Sequence, residues 1–233
     1  MIEGLSVLGL IPARGGSKRL AGKNIRPLAG RPLVQWTVET ARASRFLDRL
    51  IISSDDPAII AAAVSAGCEA PFVRPAALAQ DDTSSAAVAL HALDIIGRNY
   101  DLLVLLQPTS PLRLAEDIDG ALQACVTRGA PSCISVVEAS SSPHPLYRLT
   151  ADGRLQRVPV AVEGKSGRTY APNGAVYVVR VSEFRRSPSF VTDGTIGYPM
   201  PADRSIDIDE PVDFQQVERL ISERSAHGQI NRK

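Results

Sequence analysis

The 233-residue sequence is poor in the residues that build disulfide frameworks and metal clusters. It contains three cysteines, an odd number, and three histidines, and no two cysteines have CxxC spacing. Small disulfide-rich domains and structural zinc sites need such residues in paired spacings. We therefore expect neither a disulfide framework nor a zinc site, and we expect a reducing, cytoplasmic setting.

A strong net charge and long apolar runs are also missing. The formal net charge is +1, so no overall bias draws the chain to nucleic acid or to an anionic membrane. The first apolar stretch has no basic leader and ends at Pro12. We expect it to be neither a signal peptide nor a membrane anchor, because it is too short. We expect no nucleic-acid or membrane partner, and we expect any strong charge effect to be local.

Apolar runs of strand length alternate with segments of helical spacing. Strands are predicted over 5–11, 49–54, 70–75 and 101–107, and helices over 31–44, 55–67, 81–97 and 115–129. Continuous apolar strands separated by helices are typical of a parallel sheet covered on both faces. The sequence thus predicts an α/β domain over 1–139 that resumes at 171–233. That domain closes with a strand near 205–211 and an amphipathic helix.

Residues 140–170 have a different, more polar texture. Two strand-like pieces over 147–158 flank Asp152 and Gly153, a strong hairpin signal, and a second polar turn is predicted over 163–168. A short polar hairpin has little core of its own. We expect this insert to lean on the main domain or on a second subunit.

A glycine-rich basic loop follows the first predicted strand. The stretch "IPARGGSKRLAGKN" (11–24) contains Ser17 and the cations Arg14, Lys18, Arg19 and Lys23. A P-loop would need glycine at position 17 and serine or threonine at position 24, so that motif is absent. Glycines, a hydroxyl and several cations nevertheless suit phosphate, and ligands of open parallel sheets bind at the carboxyl ends of strands. We interpret the loop as an anion site; the alternative is a solvated basic turn.

A second group of polar residues follows the strand at 101–107. The turn "QPTSPLR" presents Gln107, Thr109, Ser110 and Arg113 between two prolines. Because proline restricts the backbone, these side chains form a preorganised hydrogen-bonding wall and are candidates for substrate binding. The alternative is that Thr109 or Ser110 merely caps the following helix.

Two carboxylates occur in the stretch "SIDIDEP" (205–211). Strand alternation would place Asp207 and Asp209 on one face. Magnesium typically takes one or two carboxylates and completes its shell with waters and substrate phosphates. We predict a Mg²⁺ site at this pair, while Asp209 could also cap the helix that begins near Pro211.

These motifs resemble those of a known family. "IPARGGSKRLAGKN", "RPAALAQDDTSS", "LLQPTSPLR", "APNGAVY" and "SIDIDEP" occur in the order found in the CMP-sialic acid synthetases, also called acylneuraminate cytidylyltransferases. The resemblance covers nearly the whole chain. It implies a nucleotide-diphospho-sugar transferase fold, with a Rossmann-like, mostly parallel sheet, helices on both faces and a small β-hairpin dimerisation insert.

The resemblance also implies a magnesium-dependent reaction in which CTP and a nine-carbon 2-keto sugar acid give a CMP-sugar and pyrophosphate. The residues implied to bind CTP are Arg14, Ser17, Lys18, Lys23, Asn24, Arg74 and Ser84. Those expected at the sugar or the ribose are Gln107, Thr109, Ser110 and Asn173, and those at Mg²⁺ are Asp207 and Asp209. The implied catalytic residues are Arg14, Lys23 and Asp209. The hairpin insert is implied to complete the partner's sugar pocket in a homodimer.

Several alternatives stay open at this point. Tyr147 and Ala171 stand where the sialic acid enzymes usually carry a lysine and an arginine, so the sugar could be N-acetylneuraminate, legionaminate or a related bacterial nonulosonate. Another nucleotidyltransferase, for an eight-carbon keto acid or a sugar phosphate, is a second possibility. The third is a nucleotide-binding module without catalysis. Asp207 and Asp209 argue against it, because binding a nucleotide needs neither carboxylate.

Overall fold

The computed structural model describes residues 1–97, 99–139, 145–158 and 168–226. The strands are β1 (Val7–Pro12), β2 (Pro27–Leu28), β3 (Arg31–Pro32), β4 (Arg49–Ser53), β5 (Leu102–Leu105), β6 (Ser132–Glu138), β7 (Tyr147–Leu149), β8 (Leu155–Arg157), β9 (Tyr170–Arg180) and β10 (Ile196–Pro199). The α-helices are α1 (Leu33–Arg42), α2 (Pro57–Ser65), α3 (Ser85–Ile96), α4 (Ala115–Thr127), α5 (Val181–Arg186) and α6 (Pro211–Ala226). Short 3-10 helices lie at Lys23–Ile25, Ala76–Leu78 and Ala202–Arg204.

The central sheet has the strand order β10-β6-β9-β5-β1-β4. β1 pairs in parallel with β4 and β5, and β10 pairs in parallel with β6. β9 is antiparallel to both of its neighbours, β5 and β6. The predicted, mostly parallel sheet is therefore confirmed, and β9 enters it from the edge where β5 and β6 end.

Helices cover both faces of the sheet, as predicted. Val7 and Ile11 of β1 pack in the cluster that includes α1, α2 and α4. Leu8 and Leu10 point to the other face of the sheet and pack in the cluster that includes α3 and α5. This alternation explains why the strands are apolar on both sides.

Two predicted strands are wrong. Residues 70–75 form no strand, and only Glu69 makes an isolated bridge, to Ile51; Pro71 and Pro75 lack the N–H groups that a ladder needs. Residues 205–209 are also not a strand. The backbone N–H of Ile208 donates instead to the carbonyl of Thr109, in the turn after β5, at 2.8 Å.

β7 and β8 form the hairpin predicted around Asp152 and Gly153. Gly153 takes a positive φ of 82° in its turn, a conformation that favours glycine. The hairpin joins the main sheet at two places: Tyr147 pairs with Tyr170 of β9, and Arg154 forms a bridge with Ile196 of β10. The backbone N–H of Leu155 also donates to the carbonyl of Thr195 at 2.8 Å. The polar turn predicted over 163–168 falls, except for Arg168, outside the described residues, and the division of the chain into a domain and an insert stays a prediction.

None of the helices in the described part of the chain has both the length and the apolar character needed to cross a bilayer.

Arg113 is fully buried behind the turn that follows β5. Its guanidinium donates to the carbonyls of Gln107 and Ala175 and to the hydroxyl of Thr37, at 3.2, 2.6 and 2.6 Å. Burial lowers the pKa of Arg113 to about 9, so it remains charged at neutral pH. The side chain thus ties the turn to β9 and α1 and supports the site from behind, instead of belonging to the binding wall.

We expect Arg113→Met to lower the free energy of unfolding by about 2–4 kcal/mol, because it leaves buried acceptors without donors. Denaturant unfolding measures the change. Arg186→Met is the matched control: its exposed ion pair with Glu183 should contribute less than about 0.5 kcal/mol. Similar small changes for both variants would contradict the role of Arg113.

Candidate active site

A cavity of about 640 Å³ opens at the carboxyl ends of the parallel strands. Most of the predicted site residues line it: Arg14, Ser17, Lys23, Asn24, Arg74, Gln107, Thr109, Asn173, Asp207 and Asp209. They come from five separate segments of the chain: the loops after β1 and β5, the connection between α2 and α3, the start of β9 and the segment before α6. The cavity lies where ligands of open α/β sheets usually bind, beyond the carboxyl ends of the strands.

The basic loop is fixed by contacts with the segment after β4. The backbone N–H of Gly15 donates to Asp55 at 3.0 Å. A Cβ at Gly15 would lie 2.8 Å from Oδ2 of Asp56, so only glycine permits this approach. The side-chain amide of Asn24 donates to the carbonyl of Arg14 at 2.9 Å. The loop is therefore held in a defined conformation without the P-loop motif.

Lys23 connects the basic loop to the carboxylate segment. Its ammonium donates to the carbonyl of Ile208 at 2.7 Å and lies 3.3 Å from Oδ1 of Asp209. The side chain is only 12% exposed, whereas Arg19, which pairs with the other oxygen of Asp209 at 3.1 Å, is mostly exposed. A cation and a carboxylate thus meet at the cavity wall.

Asp213, and not Asp209, accepts the backbone hydrogen bonds at the start of α6. Its carboxylate accepts from the N–H groups of Asp209 and Glu210 at 2.9 and 2.8 Å. The carboxylate of Asp209 points instead to Lys23 and Arg19. The capping role considered for Asp209 is therefore not the one that the structure shows.

Asp207 is mostly buried beside Asp209. Its Oδ1 has no solvent contact and no hydrogen-bond partner in the described structure. Burial raises the pKa of Asp207, a hydrogen bond from Thr109 opposes that shift, and the charge of Asp209 adds to it. A buried carboxylate oxygen without a donor suits a cation.

Magnesium fits this pair of carboxylates. Within the described ranges no group of three or more His, Cys, Asp or Glu side chains could hold a metal alone. Mg²⁺ needs only one or two protein carboxylates when phosphates and waters supply the rest. Asp207 and Asp209 are the residues that would hold it, next to the basic loop.

Arg74 lines the cavity from the connection between α2 and α3 and is anchored to the end of β4. Its guanidinium donates to the hydroxyl of Ser53 at 3.0 Å and also to the Ser53 carbonyl. Burial lowers its pKa to about 10, and the nearby charge of Asp55 opposes the shift. Arg74 thus brings a fixed positive charge to the cavity at neutral pH.

Three predicted residues do not line the cavity. Ser84 caps α3, since its hydroxyl accepts from the N–H of Ala87 at 3.1 Å, and the neighbouring Ser85 lines the cavity instead. Ser110 is buried, and its hydroxyl has no partner in the described structure. Lys18 projects into solvent and pairs with Asp81. Direct contacts of these three side chains with substrate stay predictions.

Part of the cavity wall, between the 3-10 helix Ala76–Leu78 and α3, was not predicted from the sequence. Gln80, Asp81 and Thr83 line the cavity there, and Asp81 pairs with Arg14 at 2.7 Å. These residues belong to the stretch "RPAALAQDDTSS", but no local pattern shows that it folds over the basic loop. Tyr177 and Ser205 also line the cavity without a sequence signal.

Asn173 and Gly174 set the geometry where β9 enters the sheet. The amide of Asn173 accepts from Ser135 at 2.6 Å and donates to Ser205 at 2.9 Å, which ties the carboxylate segment to β6. Gly174 has a φ of +77°, and a Cβ there would lie 2.8 Å from Oε1 of Gln107. Glycine at this position leaves room for the Gln107 side chain at the cavity.

Comparisons with known proteins agree with this architecture. A family model described as Cytidylyltransferase matches residues 8–143. The chain is 31% identical to the CMP-N,N'-diacetyllegionaminic acid synthase of Legionella pneumophila, over 93% of this chain and 97% of that protein. It is 30% identical to the N-acylneuraminate cytidylyltransferase of Escherichia coli O18:K1:H7, over 97% of this chain and 57% of that protein.

A solved structure shows the same fold. CMP:2-keto-3-deoxy-manno-octonic acid synthetase, solved with CTP, has a TM-score of 0.79 at 18% identity, over 94% of this chain and 99% of that one.

The sheet, the cationic loop and the paired carboxylates, with these matches, define a nucleotidyltransferase. The chain belongs to the cytidylyltransferase family, among the CMP-sialic acid synthetases.

We expect Gly174→Ala to lower turnover about tenfold or more, because the new methyl group displaces Gln107. Gly30→Ala is the control: Gly30 has a similar φ of +82°, but a Cβ there would meet nothing within 4 Å. Both variants should lose about 1 kcal/mol of stability. Pyrophosphate release and thermal unfolding separate the two effects; equal turnover in both variants would contradict the role of Gly174.

Proposed function

We propose that this enzyme transfers a cytidylyl group from CTP to a free nine-carbon 2-keto sugar acid and releases pyrophosphate. The observation that carries the proposal is the ion pair between Lys23 and Asp209. It brings the cationic loop and the two carboxylates to the same cavity. A triphosphate needs the cations, and a magnesium-dependent transfer needs the carboxylates. The names of the relatives support the sugar-acid class.

The basic loop is proposed to hold the triphosphate. Arg14, Ser17 and Lys23 face the cavity, while Lys18 stands at its mouth and Asn24 fixes the backbone of the loop. Lys23 and Arg14 would stabilise the charge that develops on the departing pyrophosphate. Fixed cations are effective in this role because they need no reorganisation during the reaction.

The chemical step is an in-line displacement. The anomeric oxygen of the sugar acid forms a bond to the α-phosphorus, and the bond from that phosphorus to the β-phosphate bridging oxygen breaks, so pyrophosphate leaves with the electron pair. Asp209 is half exposed and faces the cavity, where its carboxylate can accept the proton of the anomeric hydroxyl. Mg²⁺ held by Asp207 and Asp209 would supply charge neutralisation between the phosphates and the nucleophile.

The remaining walls are proposed to hold the nucleoside and the sugar. Arg74, with Ser84 or its neighbour Ser85, would bind the nucleotide. Gln107, Thr109, Ser110 and Asn173 would position the sugar acid and the adjacent ribose, with Ser110 acting from behind the wall. N,N'-diacetyllegionaminate is a specific candidate because a full-length relative is named for it; N-acetylneuraminate is the alternative.

We further propose a cytoplasmic homodimer in which residues 140–170 form the dimerisation insert. The strands of the hairpin have three residues each, and they meet the main sheet only at the pair Tyr147–Tyr170 and around the bridge Arg154–Ile196 among the described residues. Such a small element gains stability when a second subunit covers it. Sedimentation velocity at micromolar concentration should show a dimer, and a monomer alone would contradict the proposal.

The reaction is tested by pyrophosphate release with CTP, Mg²⁺ and a panel of N-acetylneuraminate, legionaminate, pseudaminate and the eight-carbon keto acid. We expect turnover with a nine-carbon acid and none when EDTA replaces Mg²⁺. Turnover only with the eight-carbon acid, or no turnover with any acid, would contradict the proposal.

In the same assay, Asp207→Asn and Asp209→Asn should each lower turnover at least about 100-fold, because each removes a carboxylate from the metal and, at position 209, the proton acceptor. Asp203→Asn is the control: Asp203 pairs with Arg224 at 2.9 Å and does not line the cavity. Unchanged magnesium-dependent rates in the first two variants would contradict the metal assignment.

A further inference from the structure

Asp81 forms ion pairs with two of the cations that are proposed to hold the triphosphate. Its Oδ1 lies 2.7 Å from Nη2 of Arg14, and its Oδ2 pairs with Nζ of Lys18. The carboxylate lies in the loop before α3, so the two ion pairs join that loop to the basic loop where Arg14 and Asp81 line the cavity. The cap of α3 does not need this bridge, since Ser84 already caps the helix.

The bridge presents an anion where a phosphate is proposed to bind. One carboxylate oxygen faces a guanidinium and the other faces an ammonium, the arrangement that two phosphate oxygens would adopt between the same cations. The hydrogen bond from Lys18, with a smaller effect of Arg14, holds the pKa of Asp81 below its usual value, so the carboxylate is ionised at neutral pH. A triphosphate that reached Arg14 and Lys18 would meet this negative charge.

The bridge is also easily opened. Asp81 is partly exposed and Lys18 is mostly exposed, and exposed ion pairs are weak because water and salt screen them. A triphosphate carries several negative charges and competes well for both cations. The carboxylate can therefore yield when the nucleotide enters and return when pyrophosphate leaves.

We propose that Asp81 is an internal competitor of the phosphates: it pairs with Arg14 and Lys18 in the empty enzyme and promotes the release of pyrophosphate. This inference rests on the proposed function, because it needs Arg14 and Lys18 to bind phosphate. It assigns Asp81 a positioning role, since the carboxylate acts on substrate through the two cations. The sign of its effect is distinctive: removing the carboxylate should tighten phosphate binding, whereas removing a supporting carboxylate would loosen it.

The test is isothermal titration calorimetry with inorganic pyrophosphate, CTP and cytidine, in Mg²⁺ at fixed ionic strength. Asp81→Asn should bind pyrophosphate and CTP about two- to fivefold more tightly than the unmodified enzyme, and the gain should shrink as salt is added. Cytidine, which has no phosphate, should bind equally to both. Asp81→Ser, which also lacks the carboxylate, should behave as Asp81→Asn does.

Asp82→Asn is the matched control, because it removes the same charge from an adjacent exposed residue that does not line the cavity. Its effect should be clearly smaller. Equal or weaker pyrophosphate binding by Asp81→Asn, or an equal gain in Asp82→Asn, would overturn the inference. If the unmodified enzyme bound neither CTP nor pyrophosphate, the proposed function itself would fail.

Discussion

The ammonium group of Lys23 donates to the carbonyl of Ile208 and faces Asp209, and the arrangement of the site depends on this contact. The basic loop follows the first strand, while the carboxylates precede the last helix, so nearly the whole chain separates them. Because Lys23 is largely buried, its charge needs the partners that it finds in the carboxylate segment. The same contact fixes Ile208 between Asp207 and Asp209, where it packs in a cluster with Phe214 of α6.

The antiparallel strand β9 gives the site its second wall. In a purely parallel sheet, only strand ends would meet the cavity. Here β9 begins at that edge, so Asn173 and Gly174 lie opposite the residues that leave β5. Arg113 joins the two sides from behind through the carbonyls of Gln107 and Ala175. Hydrogen bonds within the protein thus hold the polar groups of the cavity in place before any substrate binds.

The alternating apolar runs were sufficient to predict the α/β class and the helices on both faces, and the Asp152–Gly153 turn between two short strand-like pieces predicted the hairpin. The composition of the basic loop and its place after β1 are local features, and they predicted an anion site at the carboxyl end of that strand. The structure places Arg14, Ser17 and Lys23 at the cavity, while phosphate binding stays a prediction. Contacts between distant segments were not predictable in this way. Asp81 and Tyr177 have no local signal. Residues 205–209 have strand alternation, but they form no strand, and the N–H of Ile208 donates to the carbonyl of Thr109 in the turn after β5. The sequence does not show which of the two neighbours, Ser84 or Ser85, caps α3 and which lines the cavity, because that depends on the exact residue at which the helix begins.

The cations of the basic loop and the carboxylates of Asp207 and Asp209 are proposed to bind one magnesium–triphosphate group. Calorimetric titration of CTP into the enzyme, once with Mg²⁺ and once with EDTA, tests it most directly. Because Asp207 and Asp209 repel a bare triphosphate and attract its magnesium complex, CTP should bind at least about tenfold more tightly with Mg²⁺. Equal affinity in the two titrations would contradict the claim.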